Sequence, residues 1–174
     1  MSTIKRQLIL LRHAKSSWKS DIAEDFDRPL TKRGKQDATR VGLWLKRRNL
    51  IPDLILSSPA KRARKTTLKI CGELRFDTDN VRWIPEIYDA SLRDLIGILT
   101  RCPDHAKFVL LVGHNPGLED LLEYLCREAL PLAEDGKLLT TACAAHLNIP
   151  NKWRDLTQSA AQLISITQPG EMNL

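Results

Sequence analysis

Absences narrow the reading first. The four cysteines, Cys71, Cys102, Cys126 and Cys143, include no C-x-x-C pair, and none stands at zinc-ligand spacing from a histidine. They read as buried thiols in a reducing cytosol, and the sequence offers no metal-ligand cluster. The apolar run inside MSTIKRQLILLRH is too short for a signal peptide or a membrane span, and no later run reaches that length. A cytoplasmic location with no membrane partner is therefore the expectation. The chain has no internal repeat and no low-complexity segment. No stacking aromatics interleave with the basic runs KRRN (46–49) and AKRARK (60–65), which counts against nucleic-acid binding.

What is present suits one compact domain over residues 1–174. Hydrophobic residues make up 43% of the chain, enough for a real core, and charged residues 28%, ordinary for a soluble protein. The formal net charge of +6 favours an anionic partner without choosing among a phosphorylated small molecule, a phosphoprotein and nucleic acid. QLILLR, DLILS and KFVLLVG are short, nearly continuous apolar runs, as strands covered on both faces require. VRWIPEIYD, CAAHLNI and AQLISIT are further strand candidates, the first ending near Pro85.

Helical patterns lie between the strands. Thr31 caps one that runs to about Asn49, with Ala38, Val41, Trp44 and Leu45 on one face. Ser58 followed by Pro59 reads as a helix start, with Ala63, Thr67, Cys71 and Leu74 turned inward. Leu92, Leu95, Ile96 and Leu99 mark a third helix; Leu118, Leu121, Leu122 and Leu125 mark a fourth. The alternation predicts an α/β fold with a mainly parallel sheet.

Chemistry-bearing residues follow the strongest strand runs. LILL leads into Arg12 and His13, LILSSPAKR into Lys61, Arg62 and Arg64, and FVLLVGHNPG into His114. Open α/β sheets bind ligands outside the carboxyl ends of their strands. If these strands are neighbours, arginines and histidines converge at one edge, and their mutual repulsion calls for an anion between them. A phosphate answers that geometry, because guanidinium forks match its oxygens.

Together the segments LRHAKSSW, RPLTKRG, SSPAKRARKT, PEIYDA and VGHNPGLE resemble, in order and over most of the chain, the histidine phosphatase superfamily. More narrowly, they resemble its small phosphohistidine-phosphatase (SixA-like) branch, and LLTTACAAHLNI is similar to the family's late strand. The resemblance implies a three-layer α/β/α, phosphoglycerate-mutase-like fold and a metal-independent phosphatase that needs no cofactor. His13 matches the histidine that attacks phosphorus and becomes transiently phosphorylated. Arg12 matches the phosphate-clamping arginine, and Arg62 falls on the arginine of the S-P-x-x-R-A pattern. His114 matches the second histidine, which hydrogen-bonds the phosphoryl oxygens, and Arg28 matches a further pocket arginine. Glu86 is the candidate acid for the leaving group, with Asp89 its nearest rival.

The residue types suit that chemistry. A neutral imidazole is a competent nucleophile near its reference pKa of about 6.5. Phosphoryl transfer is catalysed mainly by positioning and positive charge. Two departures stand out: Ala14 replaces the glycine of the family's R-H-G, and Lys19 falls near an asparagine of the larger, mutase-like members. The chain also lacks room for the insertions that cover the site in mutases and phytases. An open site suits a phosphorylated side chain on a protein, and equally a small phosphoester. A non-catalytic phosphate-binding module and a phosphomutase are the competing readings; the intact Arg12, His13, Arg62 and His114 set and the short chain count against them. Oligomeric state is left open.

Overall fold

The computed structural model of the chain describes residues 6–18, 23–150 and 152–174; Lys19 lies outside them. Strands β1 (Arg6–Arg12), β2 (Leu54–Ser57), β3 (Val81–Trp83), β4 (Phe108–Gly113), β5 (Ala144–Ile149) and β6 (Gln162–Thr167) form one sheet in the order β3-β2-β4-β1-β5-β6. The pairs β1–β4, β2–β4 and β2–β3 are parallel, whereas β5 and β6 add on in antiparallel fashion. Helices α1 (Lys32–Arg47), α2 (Lys61–Leu74), α3 (Leu92–Thr100) and α4 (Gly117–Leu125) fill the intervals. The architecture is thus the expected α/β fold with a mostly parallel sheet.

Alternation along the strands builds the layers. Ile9, Leu11, Ile55, Leu110 and Val112 face α1 and α2, where Ala38, Val41, Leu45, Ile70 and Leu74 meet them. Leu8, Leu10, Leu56, Val109 and Leu111 face the opposite way, onto Leu95, Leu99, Leu118 and Leu122 of α3 and α4. Because both faces are covered, every residue of β2 and β4 is buried, and that is why these strands carry unbroken apolar runs. Trp153, fully buried, ties the second layer together by donating from Nε1 to the Ala106 carbonyl (2.8 Å). Among the described residues no helix is long and apolar enough to cross a membrane.

Local capping matches the sequence reading at Thr31, whose hydroxyl accepts from the Gly34 N–H (3.0 Å). It differs at Ser58. Helix α2 starts at Lys61 after Ala60, without a side-chain cap. The Ser58 hydroxyl accepts from the Ala60 N–H (3.2 Å) and turns to His114 instead.

The N-terminus of α1 is fitted tightly under the loop after β1. The Lys15 carbonyl accepts from the Thr31 N–H (2.9 Å), and a Cβ placed on Gly34 would collide with that carbonyl. Gly72, on the exposed side of α2, has open space around it. Gly34→Ala is therefore expected to lower stability by about 1–3 kcal/mol, whereas Gly72→Ala raises it by about 0.5–1 kcal/mol. Denaturant midpoints at constant m-value measure both.

Candidate active site

The order β2-β4-β1 sets the carboxyl ends of three parallel strands side by side, with Arg12 in register with Gly113 and Ser57 with Val112. The backbone then holds the loop after β1 rigidly. The His13 N–H donates to the Gly113 carbonyl (3.1 Å), and the Ala14 N–H donates to Thr66 Oγ1 (3.0 Å). Ala142, in the left-handed region at φ 58°, directs its N–H to the carbonyls of Arg12 and His13 (3.1 and 3.2 Å). Ala14 is fully buried and is not among the residues with positive φ. The backbone there needs none of glycine's special freedom, so alanine replaces it without strain.

His13 is 7% exposed. Its Nδ1 lies 2.8 Å from the Ala14 carbonyl, an acceptor only, so Nδ1 carries the proton and Nε2 keeps a lone pair. That lone pair receives the Nε–H of Arg62 at 3.2 Å. The His114 ring stands 5.0 Å from the His13 ring, tilted 51°. His114 Nε2 pairs with Ser58 Oγ (2.8 Å), while its Nδ1 is buried without a partner among the described residues. Arg12 donates through Nη1 to the Leu139 carbonyl (3.0 Å), where Asn115 Nδ2 also donates (2.9 Å). The Leu139 N–H is held in turn by Glu119 Oε1 (2.8 Å). Arg12, His13, Arg28, Arg62 and His114 line one cavity of about 480 Å³, with Ser16, Trp18, Asp25, Asn115 and Thr141 among the other walls.

Burial and neighbouring cations govern the charge states. Desolvation, aided by the guanidinium groups of Arg62 and Arg12, lowers His13 to about 3; desolvation, His13 and Arg62 lower His114 to about 3. Burial also lowers Arg12 from its ordinary value. Both imidazoles are therefore neutral near pH 7, and His13 offers a nucleophilic nitrogen without prior deprotonation.

Asp25 supplies the counter-charge. Its carboxylate accepts from Arg28 Nη1 (2.8 Å), Arg62 Nη2 (2.9 Å) and the Tyr88 hydroxyl (2.7 Å), and its backbone carbonyl accepts from Arg62 Nη1 (2.7 Å). The Tyr88 hydrogen bond and that of Arg28 hold the carboxyl well below the usual carboxylate range. The same hydrogen bond raises the Tyr88 phenol. Arg28 also donates from Nε to the Ser17 carbonyl (2.9 Å) and from Nη2 to Ser16 Oγ. Its guanidinium carbon lies 3.2 Å above the ring centre of Trp18, which is 80% exposed at the cavity mouth. Arg28 thus borders the cavity with each of its nitrogens already donating, and it braces the loop from Ser16 to Trp18.

The structure places Glu86 apart from the other expected site residues. It is exposed and lines a separate cavity with Arg82, Ile98, Arg101 and Cys102, not the one around His13. The cause is the short 3₁₀ turn Pro85–Ile87, which buries Ile87 and carries Tyr88, not Glu86, to the site. Asp89 is likewise exposed and outside the cavity lining. His105 is exposed, and His146 is packed against Phe108 and paired with Gln7 Oε1 (2.9 Å), both away from the site. Asp25 and Tyr88 carry no site signal in the sequence, and Ser58 and Asn115, readable there as helix starts beside the anion site, contribute side chains that the sequence does not indicate. Tyr88 lies inside the PEIYDA motif and Ser58 inside SSPAKR, so the motifs were visible although the contributing side chains were not.

Comparison with known proteins agrees with this geometry. Residues 8–95 match the Histidine phosphatase superfamily (branch 1). A chloroplastic protein of Arabidopsis thaliana is 34% identical, over 88% of this chain and 72% of its own. Two solved structures, each named a "putative phosphohistidine phosphatase SixA", superpose over nearly the whole chain. The one from Nakamurella multipartitia has a TM-score of 0.80 at 28% identity, covering 95% of this chain and 96% of that one. The one from Agrobacterium tumefaciens has a TM-score of 0.76 at 29% identity, covering 94% and 98%. With its arginines and histidines gathered at one sheet edge and its sequence matched from Leu8 to Leu95, the chain belongs to the histidine phosphatase superfamily, branch 1.

Proposed function

We propose that this phosphatase hydrolyses phosphohistidine in proteins through a covalent phosphoryl group on His13. One observation carries the reading. The unprotonated Nε2 of His13 faces a cavity walled by cations and hydrogen-bond donors, and Asp25, the carboxylate among its described lining residues, is already bound to three donors. The naming of the two SixA structures supports the same substrate class.

In the first step the His13 Nε2 lone pair forms a bond to phosphorus while the substrate's N–P bond breaks. The released electron pair goes to the leaving imidazole, whose other nitrogen already carries a proton, so it departs neutral. In the second step water attacks the phosphoryl-His13, the pair returns to Nε2, and inorganic phosphate leaves. Arg12, Arg62 and His114 stabilise the charge on the equatorial oxygens. For His114 this role is supported by its pairing with Ser58: when the Ser58 hydroxyl donates to Nε2, the unpartnered Nδ1 bears a proton. Arg28 acts with Asp25 to hold Arg62 and the Ser16–Trp18 segment in place.

The substrate class is supported by what the described residues of the cavity do not offer. General acid catalysis is worth about 10²–10⁴-fold for a poor leaving group such as an alkoxide. Asp25, held ionised by Tyr88 and Arg28, has no proton to give. Phosphohistidine needs none, because its leaving imidazole is protonated near neutral pH.

His13→Ala should abolish turnover of phosphohistidine and of an aryl phosphate, by at least about 10³-fold; retained turnover would remove His13 as nucleophile. Quenching the wild type with labelled substrate should trap an acid-labile, base-stable phosphoryl group, whereas an acid-stable ester would point to serine. Glu86→Gln should leave kcat/KM for phosphohistidine unchanged. Alkyl phosphates should react at least about 10²-fold more slowly than phosphohistidine, as parallel assays of phosphate release would measure.

The neutral imidazoles also couple folding to pH. In the folded protein His13 and His114 stay unprotonated down to about 3, while unfolded histidine takes up a proton near about 6.5. Within that window the unfolded chain binds more protons, so stability falls as pH falls, by up to about 1.4 kcal/mol per pH unit for each group. Urea titrations between pH 7 and 5 should show this loss, and His13→Asn should reduce the slope.

A further inference from the structure

Beside the catalytic cavity, and separate from it, a groove of about 560 Å³ runs between α1 and α2. Lys61, Lys65 and Lys69 stand four residues apart along one face of α2, a span of about 12 Å, and Lys35 of α1 faces them across the groove. All four are exposed, and none forms an ion pair among the described residues. The floor is apolar, built from Leu30 and Leu68. A single carboxylate, Glu73, lines the groove alongside these lysines. Lys35 and Lys69 also line an adjoining cavity that extends to Leu174.

The groove shares no wall residue with the catalytic cavity but adjoins it through chain neighbours of its walls. Lys61 precedes Arg62, and Pro29, in the groove wall, follows Arg28. The Pro29 carbonyl accepts from the Ser17 N–H (2.9 Å), and Leu30 bridges to Ser16, a wall of the catalytic cavity. A chain lying in the groove passes Lys61 and Pro29, whose immediate chain neighbours Arg62 and Arg28 line the catalytic cavity.

We infer that the α1–α2 groove docks an acidic, partly apolar segment of the phosphohistidine-bearing protein, with Lys35, Lys61, Lys65 and Lys69 pairing with its carboxylates; this rests on the function proposed above. Four cations without an ion-pair partner among the described residues, over an apolar floor, complement carboxylates interspersed with apolar side chains. Nucleic acid fits less well, because the groove has no aromatic side chain on which bases could stack and Glu73 would face the phosphates.

The test compares three substrates: free phosphohistidine, a phosphohistidine peptide with a glutamate-rich, leucine-containing flank, and its twin with glutamines in place of the glutamates. Wild type should prefer the glutamate peptide over its twin by about tenfold in kcat/KM at low salt, mainly through KM, and the preference should fade as salt is added. Lys65→Glu/Lys69→Glu, two exposed positions on a helix surface, should erase or reverse that preference while leaving turnover of free phosphohistidine unchanged. Equal rates for the two peptides in wild type, or a preference that survives the double substitution, would overturn the docking assignment and leave the proposed chemistry standing. Competition by a single-stranded oligonucleotide, lost in the double variant while the peptides remain equivalent, would assign the groove to nucleic acid instead. Turnover of an aryl phosphate but of none of the three substrates would overturn the phosphohistidine reading, and the docking assignment with it.

Discussion

The site depends on one electrostatic constraint: cationic groups packed at a single sheet edge must coexist when no phosphate is there to neutralise them. Arg12, Arg28 and Arg62 share a cavity with two imidazoles. The protein meets the constraint in two ways. Burial and the guanidinium groups keep His13 and His114 neutral, which removes two potential charges. Asp25 then places a carboxylate between Arg28 and Arg62, with Tyr88 adding a third donor. Asp25 leaves the Nε–H of Arg62 directed at His13. In the proposed reaction the incoming phosphoryl group inserts where that hydrogen bond now lies, so the nucleophile and the clamp are already aimed at the same point.

The fold converts this constraint into geometry through backbone contacts. Parallel pairing of β1 with β4 aligns Arg12 with Gly113, so the chain leaves both strands at the same level and brings His13 and His114 within ring contact. The loop after β1 has little freedom. It is held by Gly113 from one side, Ala142 and Thr66 from others, and α1 at Gly34 from below. Such support matters for a reaction whose catalysis is mostly positioning, because small displacements of the nucleophile are costly in rate.

Much of this was legible in the sequence, and the reason is periodicity. Buried parallel strands must be apolar throughout, so QLILLR, DLILS and KFVLLVG declared themselves, and the residues following them marked the functional edge. Thr31 and the leucines of α3 and α4 were equally plain. What escaped were contacts that no local pattern encodes. Asp25 meets Arg62 from 37 residues away, and nothing in DFDRPLT distinguishes it from a solvated acid. Glu86 and Tyr88 occupy the same motif, yet a single 3₁₀ turn decides which reaches the site, and a motif cannot report the direction of a turn. Ser58 looked like a helix cap because Ser-Pro commonly is one; a tertiary partner, His114, took its hydroxyl instead.

The same arrangement bears on selectivity. An ionised Asp25 stabilises the arginines only while it stays ionised, so it cannot double as a proton donor without weakening the clamp it supports. Phosphate binding and acid catalysis therefore compete for this carboxylate, and the structure gives it to the clamp. In the proposed reaction such an enzyme discriminates by the basicity of the leaving group, not by its shape, and a mouth bordered by the exposed Trp18 does little to add shape selection. Under the proposed function, specificity among protein substrates then comes from surface outside the cavity, where the distance from the reacting atoms leaves the phosphoryl chemistry undisturbed.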